Sequence, residues 1–201
     1  GRTVTAGYFD DHDAFCRAVR DCDKAGGNVY FTLQVIDPRL LGRAFNRIKQ
    51  GIATTSDNNI LAYRWLPVDI DPVRPSGVSS SDSELKEAYA LREEAIAWIV
   101  ENLGFSDPIQ AMSGNGYHLL YRLPDLENNQ QNRAFIKGVL ETLDKQLSTS
   151  KVGIDTTVFN PARIWKLYGT IAKKGDEIPA TEHREARPHR ASYIEDMGGL
   201  E

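Results

Sequence analysis

The chain has 201 residues, 41% of them hydrophobic and 26% charged, with a formal net charge of −4. These proportions suit a packed core in one domain, or in one domain built from two small parts. They exclude a generally basic nucleic-acid coat but not a local basic groove; Cys16 and Cys22 form neither a zinc knuckle nor a disulfide framework, and no run is long enough to cross a membrane.

Residues 10–25 read as an amphipathic helix. Asp10 is its N-cap, Phe15, Ala18, Val19 and Cys22 form its apolar stripe, and Gly26-Gly27 end it. Residues 28–36 (NVYFTLQVI) read as one strand from their β-branched and aromatic content. Asp37-Pro38 opens a short helix carrying Leu41, Ala44, Phe45 and Ile48 on one side, and residues 54–59 form a polar loop. Residues 60–72 follow as a strand that ends in two acids. Val68 and Ile70 alternate with Asp69 and Asp71, so the two carboxylates project to one face just where Pro72 stops the strand. Two carboxylates ~5 Å apart at an effective dielectric of ~20 repel by about 3 kcal/mol. The pair therefore calls for a cation, a shared proton or an arginine, unless Asp71 is only a turn residue before proline and Asp69 is solvated.

Ser81 with Glu84 forms a capping box that starts the longest helix, which runs to about Leu103 and is closed by Gly104. Two strands, 109–113 and 117–123, are joined by Gly114-Asn115-Gly116, a tight hairpin signal. Asn128-Asn129 starts another helix with Phe135, Ile136, Val139, Leu140, Leu143 and Leu147 facing inwards. An irregular segment begins at Gly153-Ile154-Asp155. Residues 164–167 read as a short strand, and a last strand is expected at 191–194. From residue 59 onwards the order β-α-β-β-α-β is that of a split βαβ, ferredoxin-like sheet. The chain thus divides into an N-terminal α/β part of about 1–58 and an α/β sheet module of about 59–195.

Three further constellations carry chemistry. In Ser113-Gly114-Asn115-Gly116-Tyr117-His118, two glycines let backbone amides approach an anion, flanked by a hydroxyl and an imidazole; the same hexapeptide also fits a plain hairpin turn. Asp155 follows a helix and a glycine, where an aspartate ordinarily caps a turn. Between Asn160 and Arg190, seven Lys/Arg stand against four Asp/Glu, giving a +3 segment in an acidic chain. There Arg163, Lys166 and Thr170 can hold phosphate oxygens by fork, point charge and hydroxyl, or simply form a solvated basic face.

In this order, Val68-Asp69-Ile70-Asp71, Ser113 to His118 and Ile154-Asp155 resemble the archaeo-eukaryotic primase superfamily, in particular the primase-polymerases of phages, plasmids and CRISPR-associated loci. Asn160-Pro161-Ala162-Arg163, Leu167-Tyr168-Gly169-Thr170, Lys174-Gly175 and Arg187-Pro188-His189-Arg190 resemble stretches of the plasmid and phage branch. The likeness spans about Leu61 to Arg190. Tyr168 stands where that branch has proline, and no Cys/His zinc module is present.

The resemblance implies a DNA-dependent nucleotidyltransferase, a primase that starts chains and a polymerase that extends them. Asp69, Asp71 and Asp155 would bind two Mg²⁺ or Mn²⁺ ions. Ser113, His118 and the amides of Gly114, Asn115 and Gly116 would grip the incoming triphosphate, with Arg163 and Lys166 neutralising its charge. Asn160, Thr170, Lys173, Lys174, Arg187 and Arg190 would meet the phosphates of the template or of an initiating nucleotide. The expected partners are single-stranded DNA and dNTPs or NTPs, with no membrane, and helicase or CRISPR adaptation proteins in a longer chain. The chain opens on Gly1 without Met and reads as an excised domain; it has no signal peptide, so a reducing, cytoplasmic setting is expected. Two alternatives are a metal-dependent nuclease or replication initiator, which would want a His-x-His pair that none of the four histidines forms, and an RRM-like single-strand binder. The binder would stack bases on aromatics such as Tyr117, Tyr121 and Trp65.

Overall fold

A computed structural model describes residues 4–199. In chain order it runs β1 (Thr5–Tyr8), α1 (His12–Lys24), β2 (Tyr30–Thr32), β3 (Val35–Ile36), β4 (Arg47–Gln50), β5 (Ile60–Pro72), α2 (Asp82–Leu103) and β6 (Ile109–Met112). It continues through β7 (Tyr117–Glu127), α3 (Gln130–Leu147), β8 (Val152–Ile154), β9 (Ile164–Lys166), β10 (Ile171–Ala172), β11 (Arg190–Ala191) and β12 (Tyr193–Asp196).

The fold is mixed α/β, as expected from the element order. Its centre is an antiparallel sheet in the spatial order β6-β7-β5-β8, the order of a ferredoxin-like unit. The long β5 carries β7 along one side. On its other side it pairs first with β3 and then, at its end, with β8. β12 extends the sheet beyond β6. Alternation along β5 sends Leu66, Val68 and Ile70 into the core, each with no exposed surface, and leaves Asp69 and Asp71 on the opposite face. On the apolar side Tyr117 packs edge-on against Tyr89 of α2, and Tyr121 against Phe105.

Local signals account for the two long helices. Ser81 caps α2 and shares a reciprocal box with Glu84, and Gly104 closes the helix in the left-handed conformation. Asn129 caps α3 through the amide of Asn132. Their buried rows, Leu85, Ala88, Leu91, Ala95 and Ile99 on α2 and Ile136, Leu140 and Leu143 on α3, cover one face of the sheet. Each buried leucine or isoleucine there stabilises by about 1.5–3 kcal/mol.

The N-terminal third departs most from expectation. Residues 28–36 are not one strand. Tyr30–Thr32 pairs with β9, whereas Val35–Ile36 pairs with β5. Gln34 separates them: its side chain donates to Trp65 O and accepts from the amides of Arg64 and Trp65, replacing backbone ladder bonds at a bulge in β5. The helix expected from Asp37 to Ile48 is only a 3₁₀ turn, Pro38–Arg43. Asn46 then takes a positive φ of 49° and the chain turns into β4, which pairs with β1, a strand not anticipated. The α1 N-cap is Asp11, not Asp10; Asp10 is held by Asn46 instead. Tyr8, Leu40 and Ala44 form a small second core here. Among the described residues no helix is long and apolar enough to cross a membrane.

Candidate active site

The end of β5 places its two acids among neighbours fixed by register. Asp69 lies directly opposite His118 on β7 and beside Asp155, whose amide donates to Asp69 O at 2.9 Å. Asp71 lies opposite Gly153. Directly opposed residues in an antiparallel pair share a face, so His118, Asp69 and Asp71 open onto the same side of the sheet. The β2–β9 ribbon lies over that side, with the Trp165 ring 4.2 Å from the His118 ring. Between ribbon and sheet is a cavity of about 360 Å³. Its lining includes Asp69, Asp71, Ser113, Asn115 and His118 together with Arg163, Lys166 and Lys174.

The two acids share one face but differ electrostatically. Burial works to raise the Asp69 carboxyl, but the facing His118 and then Lys174 and Arg163 outweigh it, so Asp69 sits below its ordinary value. Burial pushes Asp71 up to about 6, the Asp69 charge adds to the rise, and Arg74 and Lys174 oppose it. The repulsion expected from the sequence thus shows in the raised value of Asp71, and it is met in part by Arg74, whose Nη2 lies 3.5 Å from Asp71 Oδ2.

Asp155 is close but engaged. Its Oδ1 accepts from the Thr157 amide at 2.8 Å and hydroxyl at 2.7 Å, and its Oδ2 accepts from Arg163 Nη2 at 3.0 Å. It therefore caps a turn, Thr156–Phe159, in the ordinary way of an aspartate. Among the described residues no group of three or more His, Cys, Asp and Glu side chains converges as a metal site.

His118 is held from both ends. Tyr168 Oη lies 2.8 Å from Nδ1, and Asp69 Oδ1 lies 3.5 Å from Nε2. Burial and then the Asp69 charge hold the Tyr168 phenol well above its ordinary value, so it keeps its proton. When the imidazole is neutral, Tyr168 donates to Nδ1 and the ring proton faces Asp69.

The hairpin corrects one expectation. The amides of Gly114, Asn115 and Gly116 do not form an open anion cradle. Gly114 N donates to Met112 Sδ, and Asn115 N and Gly116 N donate to Ser113 Oγ. Asn115 stitches the hairpin to the segment before α2 through Ser80 N and Oγ. Both glycines mark close approaches: a Cβ on Gly116 would strike Asp71 and Ile70, and one on Gly114, at a φ of 101°, would strike Ala172.

The basic segment splits in the same way. Thr170 is 2% exposed and its hydroxyl donates to Leu167 O, so it faces inward, away from any phosphate. Arg187 forms a two-pronged pair with Glu84, and Arg190 binds Asp82 and Ser80 O; both arginines are committed to the start of α2 rather than to a template. Lys173 points its ammonium at Asp23 O, 3.4 Å away, and Asn160 ends the turn after Asp155, its carbonyl accepting from Arg163 N. Lys166 is 5% exposed, bonds Ile171 O, and is drawn down to about 8 by burial. Lys174 is exposed and lines the cavity. Arg74, Tyr168, Tyr30 and Asn28 complete the surroundings, and none of them was singled out as a site residue from the sequence.

No protein-family model matches the chain, and no curated protein matches its sequence. Among solved structures, the chain is similar to the polymerase domain of Mycobacterium tuberculosis Ligase D in complex with DNA, at 16% identity and a TM-score of 0.40, over 78% of this chain and 48% of that one. The chain therefore spans about half the length of that structure. A likeness this distant assigns no chemistry, which rests on the geometry above.

Proposed function

We propose that the chain is a nucleotidyltransferase of the primase-polymerase kind, joining nucleotides on a single-stranded DNA template. The observation that carries the reading is the acid pair Asp69 and Asp71 at the end of β5, opening onto a cavity also lined by Arg163, Lys166 and Lys174. Acids and cations around one cavity suit a substrate that brings both a metal and phosphates. Phosphoryl transfer asks the protein mainly for positioning and charge neutralisation. Tyr117 and Tyr121, 8% and 1% exposed, are too buried to stack bases, which leaves partly buried Trp65 alone of the three aromatics and counts against a purely binding module.

The donor set fits a hard divalent cation. Two carboxylates share a face, and burial and the Asp69 charge raise Asp71 to about 6, a strain that a bound cation would relieve. Asp69 and Asp71 would hold Mg²⁺ or Mn²⁺, and Asp155 would join them once Arg163 releases its Oδ2. Bound there, such an ion supplies activation of a 3′-hydroxyl and neutralisation of a leaving pyrophosphate. Arg163 would turn from Asp155 to the triphosphate. Lys174 and Lys166 would balance the remaining charge, and His118, fixed by Tyr168, would present Nε2 towards it.

Primer-free incubation with single-stranded template, labelled nucleotides and Mn²⁺ tests this. Template-dependent product ladders support it. Metal-dependent shortening of labelled DNA, or binding with no synthesis from either free nucleotides or a primer, would overturn it.

The Asp71 carboxyl also sets a pH dependence. The ion requires the ionised form, so Mn²⁺ affinity should fall about tenfold for each pH unit below about 6, and binding at pH 6 should release about half a proton per ion. Folding of the metal-free protein responds in the opposite sense. Because the folded-state value is raised, the contribution of Asp71 is fully present below its ordinary value and lost as pH rises through about 6. Calorimetric titration with Mn²⁺ between pH 5 and pH 7.5 checks the first statement, with an affinity flat across that interval as the refuting result.

A further inference from the structure

Of the three cations that line the cavity, Lys174 depends most on the backbone beneath it. Arg163 is held by Asp155, and buried Lys166 by Ile171 O, whereas the Lys174 side chain is exposed. A long, flexible stem places its charge only as well as its own backbone is placed.

That backbone is fixed by the N-terminal part of the chain. Asn28, between α1 and β2, faces the residue before Lys174. Its Nδ2 donates to Lys173 O and its Oδ1 accepts from Lys173 N, both at 2.8 Å and across 145 positions of sequence. One side-chain amide thus satisfies both backbone groups of one residue, as a neighbouring strand would. The contact extends a seam along the same segment, where Ile171 N donates to Asp23 Oδ1 at 2.9 Å. The two adjacent lysines then part. Lys173 sends its ammonium to Asp23 O at the end of α1, and Lys174 lines the cavity. The loop before α2 holds the segment as well: Lys174 O accepts from Ser79 Oγ at 3.4 Å, and a Cβ on Gly175 would strike Gly77 O.

We propose that Asn28 is a positioning residue for the reaction, holding the backbone at Lys173 so that Lys174 sets its charge on the substrate phosphates beside Asp69 and Asp71; this rests on the nucleotidyltransferase reading above. Asn28 itself lines the cavity, but both polar atoms of its amide are bound to Lys173, so it acts through the lysine. The residue type follows from the contact. Aspartate has no donor for Lys173 O, and glutamine carries the same amide one methylene further out.

The test is a double-variant cycle with a local readout of the anchor. Asn28→Ala, Lys174→Met and the double variant are compared with the parent, with Asn28→Ser in place of Asn28→Ala should the alanine protein not fold. In Asn28→Ala the Lys173 amide should exchange its hydrogen with solvent at least about tenfold faster, with exchange in β5 and β7 unchanged. The KM for the incoming nucleotide with Mn²⁺, and its affinity by calorimetry, should weaken about 5–20-fold while kcat stays within about threefold. Lys174→Met should weaken that affinity at least as much. The double variant should be no weaker than Lys174→Met alone, because an anchor without the lysine has nothing left to place. Effects that multiply in the double variant, unchanged exchange at Lys173, or faster exchange with unaltered nucleotide affinity each overturn the proposal. If the parent binds no nucleotide and joins none, the nucleotidyltransferase reading has failed and the proposal falls with it. That result is distinct from a parent that binds nucleotide and an Asn28 variant that behaves like it.

Discussion

Asp69→Asn is expected to reduce nucleotide joining by about 10³-fold, equivalent to about 4 kcal/mol of transition-state stabilisation, while leaving the fold intact. Asn has the same size and keeps one oxygen towards His118 Nε2, so the packing around β5 is undisturbed. What it removes is the one carboxylate of the pair held ionised by its surroundings. Asp69 also contributes, after burial, to the raised state of Asp71, so in the variant Asp71 should titrate lower than about 6. The pH profile of any residual Mn²⁺ binding should shift to lower pH with it. Stability should fall modestly, because a carboxylate that His118, Lys174 and Arg163 hold below its ordinary value is lost, an effect offset in part by relief of its repulsion with Asp71. Activity within tenfold of the parent, in a variant that remains folded, would remove Asp69 from the chemistry and leave it as a partner of His118 alone.

How much of this could be read from the sequence depends on how local the cause is. The capping box at Ser81, the Gly104 stop, the Asn129 cap and the alternation of Val68 to Asp71 are each settled within a few residues, and all were legible. In the N-terminal third only α1 was, because the strand pairings there are non-local. β1 finds β4 about forty residues away, and β2 pairs with β9 near the other end of the chain. Gln34 breaks a strand for the sake of two amides on β5, a need no window around residue 34 reveals. The candidate site follows the same division. Asp69, Asp71, Ser113 and His118 sit on one strand end and one hairpin whose register is local, and they line the cavity together. Charge alone misled for Arg187 and Arg190, since a basic residue's type does not tell whether it meets a phosphate or Glu84 and Asp82. Tyr168 stood out only as a departure from a pattern; its contact with His118 Nδ1 exists because the Gly169 turn bonds to Ser192. Asn28 gave no signal, because the backbone it holds lies 145 positions away.

Arg163→Gln is expected to move two affinities in opposite directions. Arg163 meets Asp155 through one nitrogen, Nη2 at 3.0 Å, in a pair whose side chains remain 41% and 32% exposed. Pairs this open contribute ~1 kcal/mol or less, so a triphosphate can draw the guanidinium away cheaply. A charge-assisted bond to phosphate inside the cavity is worth about 1.5–3 kcal/mol, so the KM for the incoming nucleotide should rise about 10–100-fold. Metal affinity should instead increase several-fold, about the effect of one partly screened charge. Loss of the guanidinium leaves Asp155 Oδ2 without its partner, while Oδ1 stays held by Thr157 and keeps the carboxylate in place. Gln is chosen over Ala because it retains part of the side-chain stem without the charge. Nucleotide KM and Mn²⁺ affinity, measured on the same preparation, decide the matter. If both affinities fall together, Arg163 serves to fix Asp155 in place and the exchange between carboxylate and triphosphate does not occur. If the metal binds as before, Asp155 is a turn cap and nothing more, and the cation, if one binds, is held by Asp69 and Asp71 alone.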